Sequence, residues 1–129
     1  MKKGILLVGL LFFIGMLNAQ NLPKNCYGNY GGEMPAYSVF LDGASIDIEK
    51  HDVFVSISKT EVVYKTSFLL LSGSYEVFKQ SKNEYVIKAN LSNGKSVNYQ
   101  IDLSWNKKNK ALKILAKNGQ SEALLEKLD

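Results

Sequence analysis

The chain has 129 residues, 46% of them hydrophobic and 22% charged, with a formal net charge of +4. Every basic residue is lysine, so the bidentate guanidinium fork that reads phosphate or guanine is missing, and nucleic-acid binding is not expected. A single cysteine, Cys26, and a single histidine, His51, rule out an intramolecular disulfide and are too few to close a zinc site.

Residues 1–19 have the layout of a cleavable export signal. Lys2 and Lys3 supply a basic start, Gly4 to Leu17 an unbroken apolar run, and Asn18-Ala19-Gln20 a small-residue boundary. The run is shorter than the roughly 20 apolar residues needed to cross a bilayer, so no membrane span is expected. Cleavage is expected after Ala19, although Leu17 stands where a small residue is usual. Pro23-Lys24-Asn25 separate Cys26 from the apolar run, which argues against lipid attachment there. Removing the signal leaves one domain, residues 20–129, with a net charge of about +2. The mature protein is expected to be periplasmic or extracellular, in a bacterial envelope, and monomeric. Cys26 is left with two readings, a thiol that pairs between chains or a small buried hydrophobe.

From Cys26 to Lys117 apolar and polar residues alternate with period 2, the pattern of half-buried strands. The glycine-rich stretch from Gly28 to Ala36 opens the domain. Tyr37 to Leu41 and Ile46 to Ile48 flank Asp42-Gly43, which predicts a tight hairpin. Val53, Val55 and Ile57 follow, and Val62 to Leu71 reads as one long returning strand. Tyr75 to Phe78 comes next. Tyr85 to Leu91 and Val97 to Leu103 flank Ser92-Asn93-Gly94-Lys95, which predicts a type I′ turn at Asn-Gly. Leu112, Ile114 and Ala116 make a last strand.

The tail changes register. Ser121 can cap a helix over 121–128, with Ala123, Leu124 and Leu128 along one side, acid at its start and Lys127 near its end. Eight or nine strands joined by short loops, with no long crossing connection, predict an all-β antiparallel up-and-down meander that closes into a small barrel. Closure removes the exposed edges that an open sheet of this size would carry.

The sequence offers little for catalysis. His51 and Asp52 are neighbours, so on a strand they point to opposite sides. The carboxylates Asp47, Glu49 and Asp52 follow the regular spacing of a solvated edge rather than an oxygen cage. A non-enzymatic protein without metal or cofactor is expected. The aromatic residues suit either a packed core or the lining of a small cavity, since a barrel of about 8 strands has just enough interior for side chains or one small ligand. The candidate ligand-binding residues are Tyr30, Tyr64, Phe68, Tyr85 and Tyr99, with Tyr64 and Phe68 expected on one face of the same strand.

The opening segment Gly28-Asn29-Tyr30-Gly31-Gly32-Glu33-Met34-Pro35-Ala36 resembles the first strand of lipocalin-like barrels, where a Gly-x-aromatic unit closes the barrel bottom. It is also similar to the Gly-x-Tyr-x-Gly-x-x-Pro-Ala opening of bacterial envelope lipoproteins related to copper resistance and surface-stress sensing. Tyr30 stands where lipocalins usually place tryptophan, and the cysteine pair of the copper-related family is absent, which removes its metal-binding implication. The resemblance implies a small envelope β-barrel with Gly28 and Tyr30 at its closed end. Two functions follow as expectations: a barrel that binds a small apolar or amphipathic ligand, or a compact envelope interaction protein, an inhibitor or assembly factor, with a solid core and a surface site.

Overall fold

The computed structural model describes residues 21–95, 97–117 and 120–128, and the expected signal, residues 1–19, lies outside them. Among the described residues there are eleven antiparallel strands and one 3-10 turn, Lys24–Cys26. The strands are β1 (Gly28–Met34), β2 (Tyr37–Leu41), β3 (Ala44–Ile48), β4 (His51–Ile57), β5 (Val62–Lys65), β6 (Leu70–Gly73), β7 (Tyr75–Lys79), β8 (Glu84–Ser92), β9 (Asn98–Asn106), β10 (Ala111–Ile114) and β11 (Ala123–Lys127).

Nine strands form one sheet in the order β6-β5-β4-β1-β11-β10-β9-β8-β7. The pairing of Ser72 with Ser92 joins β6 to β8 and closes eight of them into a barrel. β7 is the extra strand: it continues β6 beyond Ser74 and lies along β8, from Tyr75 opposite Ala89 to Lys79 opposite Tyr85. The meander expected from the short loops is therefore present, and the barrel leaves β1 and β11, from opposite ends of the domain, as neighbours.

Alternation in the sequence becomes inside and outside. Along β8, Tyr85, Ile87, Ala89 and Leu91 are buried while Lys88 and Asn90 are exposed; along β9, Ile101, Leu103 and Trp105 are buried. Tyr30 and Met34 of β1, Val53 and Val55 of β4, Leu112 and Ile114 of β10, and Leu125 of β11 complete the same interior. Burying these side chains at about 25 cal/mol per Å² of apolar surface is the main force closing the sheet.

Three expectations are corrected. The tail is a strand, not a helix: Ala123 and Leu125 point inward with Leu124 exposed between them, and the segment pairs with both β1 and β10. A helix of this length is marginal alone, whereas a strand here gains two ladders and removes two open edges. The long strand over 62–71 is two strands, β5 and β6, separated by a turn in which the Thr66 amide donates to the Leu69 carbonyl. The loop after β8 is not a two-residue turn. It runs from Asn93 to Val97, and Asn93 Oδ1 accepts from the amides of Lys95 at 2.8 Å and Val97 at 3.2 Å. An Asx turn has taken the place of the type I′ geometry.

The other predicted hairpin is present. β2 and β3 pair from Tyr37 opposite Ile48 to Leu41 opposite Ala44, and Asp42 and Gly43 between them both have positive φ, 51° and 79°. These two strands form a sheet of their own, inserted between β1 and β4.

Candidate functional site

The registers define two ends. One, the floor, gathers Gly28, Ile57, Val62, Tyr85 and Trp105; the other, the mouth, gathers Met34, Tyr64, Leu71, Leu91, Tyr99 and Ile114.

The floor is closed by the chain preceding β1. Leu22 and Cys26 are buried there, and the Tyr30 hydroxyl donates to the Cys26 carbonyl at 2.6 Å. Outside, Lys127 Nζ donates to the Asn25 carbonyl at 2.9 Å. Gly28 begins β1 with a φ of 145°, a conformation that favours glycine. Gly28 and Tyr30 thus lie toward the end that Leu22 and Cys26 cover. Tyr85 packs on Trp105 with ring centroids 6.0 Å apart, and the Tyr75 hydroxyl donates to the Ser58 carbonyl at 2.7 Å. The Trp105 indole N–H is buried with no acceptor among the described residues. Burial pushes the Cys26 thiol up to about 12, against smaller opposing effects of the Tyr30 hydrogen bond and Lys127. That thiol is neutral at physiological pH and makes a poor nucleophile.

The mouth carries a cluster of uncharged polar groups in an apolar setting. Tyr64 and Tyr99 meet edge to face, with centroids 6.4 Å apart. The Tyr99 hydroxyl donates to Oε1 of Gln120, a buried residue of the loop between β10 and β11. Tyr37, at the base of the β2–β3 hairpin, packs against the core and acts electrostatically on both phenols. Burial raises the pKa of Tyr64, with Tyr99 and Tyr37 adding to the effect; burial and then Tyr37 raise Tyr99. All three phenols are protonated at neutral pH and can donate or accept.

The five predicted site residues therefore divide. Tyr64 and Tyr99 come together at the mouth. Tyr30 and Tyr85 point inward but belong to the floor. Phe68 does not share a strand with Tyr64: it lies in the turn between β5 and β6, is 68% exposed, and its ring stands 5.5 Å from that of His51. Sequence reasoning missed Tyr37 and Gln120. Tyr37 follows the aromatic-bearing opening segment directly but reads there only as the first residue of a hairpin strand, and a lone glutamine in a polar loop carries no signal.

His51 starts β4 near the mouth, its Nδ1 2.9 Å from the Glu49 carbonyl, whereas Cys26 sits at the floor, so the two cannot act together. No group of three His, Cys, Asp or Glu side chains placed to hold a metal ion occurs among the described residues. No helix among them is long and apolar enough to cross a membrane. Comparison with protein-family models, curated proteins and solved structures finds no match.

Proposed function

We propose that the chain is an exported, non-enzymatic binding barrel that takes a small amphipathic molecule at its tyrosine-bearing mouth. The observation that carries this reading is the convergence of Tyr37, Tyr64, Tyr99 and Gln120 at one end of the interior. Binding sites of this kind combine apolar walls with a few fixed polar groups that set orientation. Here Met34, Leu71 and Leu91 supply the walls, while three phenols and an amide supply the polar contacts without charge. The floor contributes closure rather than contact, because Tyr30, Tyr85 and Trp105 occupy it with their own side chains. The ligand therefore sits shallow, its polar group on the tyrosines and its apolar part toward Leu71.

Native mass spectrometry of the purified mature protein tests this reading. The expected result is a co-purifying non-covalent adduct that is lost in the Y64F/Y99F double variant while the fold is retained. A bare polypeptide mass, together with no displaceable binding of the amphipathic dye anilinonaphthalene sulfonate, overturns it.

A second reading, a compact interaction protein, rests on apolar side chains on the outer surface. Leu70, Leu124 and Leu128 are each about three-fifths exposed. Leu128 and the half-exposed Phe54 flank Gly31 there, but a small apolar patch of this kind is ordinary, so this reading ranks second.

A further inference from the structure

The β2–β3 hairpin stands outside the barrel sheet and, among the described residues, pairs only with itself. We infer that β2 is a pairing edge through which two copies of this chain join antiparallel, β2 against β2, about a twofold axis at Val39. This inference is independent of any ligand at the mouth, and it departs from the monomer expected from the sequence.

The hydrogen-bonding arithmetic selects the residues. With a two-residue turn at Asp42-Gly43, Leu41 and Ala44 form the first hydrogen-bonded pair. Bonded and non-bonded pairs alternate along an antiparallel ladder, so Val39 and Tyr37 also bond to β3. The N–H and C=O groups of Ser38 and Phe40 consequently face away from β3. Ser38 is exposed and Phe40 is 78% exposed, and no strand among the described residues lies on that side.

Charge then distinguishes β2 from β3. Exposed edges are usually guarded by lysine, proline or a bulge. β2, Tyr37-Ser38-Val39-Phe40-Leu41, contains no charge and no proline, so a second copy of it meets no repulsion. In β3 the backbone groups of Ser45 and Asp47 face the free edge by the same alternation, and a twofold pairing there would bring Asp47, whose carboxylate accepts from Ser38 Oγ at 2.7 Å, toward its own copy. The edge that is unguarded is therefore the one that can accept its own copy.

The geometry also closes on itself. With Val39 on the axis, Ser38 of one copy lies opposite Phe40 of the other, and both are residues with free groups, giving four hydrogen bonds. Val39 faces its counterpart as a non-bonded pair, with Cα atoms about 4.5 Å apart. Ile46, the cross-strand partner of Val39, lies on the same face, so an Ile46-Val39-Val39-Ile46 strip would run across the joined sheet. A strand pair this short gives weak, concentration-dependent association.

The test uses the mature protein, its sedimentation measured up to about 1 mM, the weak end of the affinity scale. V39C and I46C variants are compared under oxidised glutathione. The 4.5 Å spacing suits a disulfide. The expected results are reversible dimers, a linked V39C dimer and an unlinked I46C monomer. F40P should abolish the dimer without lowering Tm, because it removes an N–H that faces only the partner. A monomer throughout the concentration range, a linked I46C dimer, or a dimer unaffected by F40P would each overturn the inference.

Discussion

The Tyr30 hydroxyl donates a 2.6 Å hydrogen bond to the carbonyl of Cys26, and both residues are completely buried. One side chain thus fastens the segment that closes the floor to the first strand of the barrel wall. Tyr30→Phe keeps the ring but leaves a buried carbonyl without its donor, which should cost about 1–3 kcal/mol. Tyr30→Ala also opens a cavity and should cost about 3–5 kcal/mol. Urea unfolding of both variants checks the order. An Ala variant as stable as the parent would mean that this segment is a surface arm.

Alkali should unfold the protein earlier than exposed tyrosines alone would require. Cys26 is raised from 9.0 to about 12 and Tyr75 from 10.0 to about 12, each mainly by burial, and Tyr64, Tyr99 and Tyr37 move in the same direction. All are neutral when protonated, so above pH 9 the unfolded chain loses protons that the folded chain keeps. Fewer protons bound in the unfolded state make stability fall as pH rises. The loss should begin near pH 9 and continue through 12, with no contribution from these groups below 8. A denaturant midpoint that stayed flat from pH 8 to 11 would contradict it. In the same experiment, the Cys26 thiol should resist a disulfide reagent in the native protein and react at once in urea.

At Gly73 a β-carbon would lie 1.8 Å from the carbonyl oxygen of Asn90, with the Asn90 carbonyl carbon at 2.8 Å. This close approach is where the strand leaves β5 for β8, and the Asn90 amide donates to the Ser74 carbonyl at 3.0 Å beside it. Backbone cannot move aside as a side chain can, so Gly73→Ala should separate the closing strands and cost upwards of about 3 kcal/mol. Amide exchange along β6 and the upper part of β8 should accelerate more than along β1 and β4. Uniform destabilisation would place the closure elsewhere.

Alternation carried most of the fold into the sequence: β4, β8, β9 and β10 fall on segments whose apolar residues alternate, whereas β6 falls in the continuously apolar run from Phe68 to Leu71, and a closed meander follows from the short loops. Failure came where two local rules competed. Ser121, Glu122 and Lys127 are good helix-end residues, yet Ala123 and Leu125 alternate as well, and the open gap between β1 and β10 decided in favour of a strand. Phe68 followed Tyr64 at four residues, which means a shared face only if the strand runs on; Thr66 and Ser67 turn it instead. The mouth was half legible. Tyr64 and Tyr99 are inward by alternation, but Gln120 enters from a loop, where no periodicity marks burial.

Asn93 and Gly94 distinguish the loop seen here from the two-residue turn that Asn-Gly suggests. Gly94 has a φ of 81° and nothing within 4 Å of the place a β-carbon would occupy. Gly94→Val therefore meets no clash, and its cost of about 1–3 kcal/mol is purely that of holding a β-branched residue in the left-handed region. Such a cost arises in either loop, so that variant does not separate them. Asn93→Gly does. In a type I′ turn the first central residue needs positive φ, and glycine there is neutral or better. In this loop Asn93 acts through its side chain, whose Oδ1 accepts two backbone amides, from Lys95 and Val97. Losing both should cost about 0.5–2 kcal/mol, as loss of a helix-capping side chain does, with the lower end favoured because water reaches the freed amides. Asn93→Asp keeps the acceptor and should lie close to the parent. Chemical denaturation of the three variants gives the ranking, and an Asn93→Gly protein more stable than the parent would restore the type I′ turn and shift the register between β8 and β9.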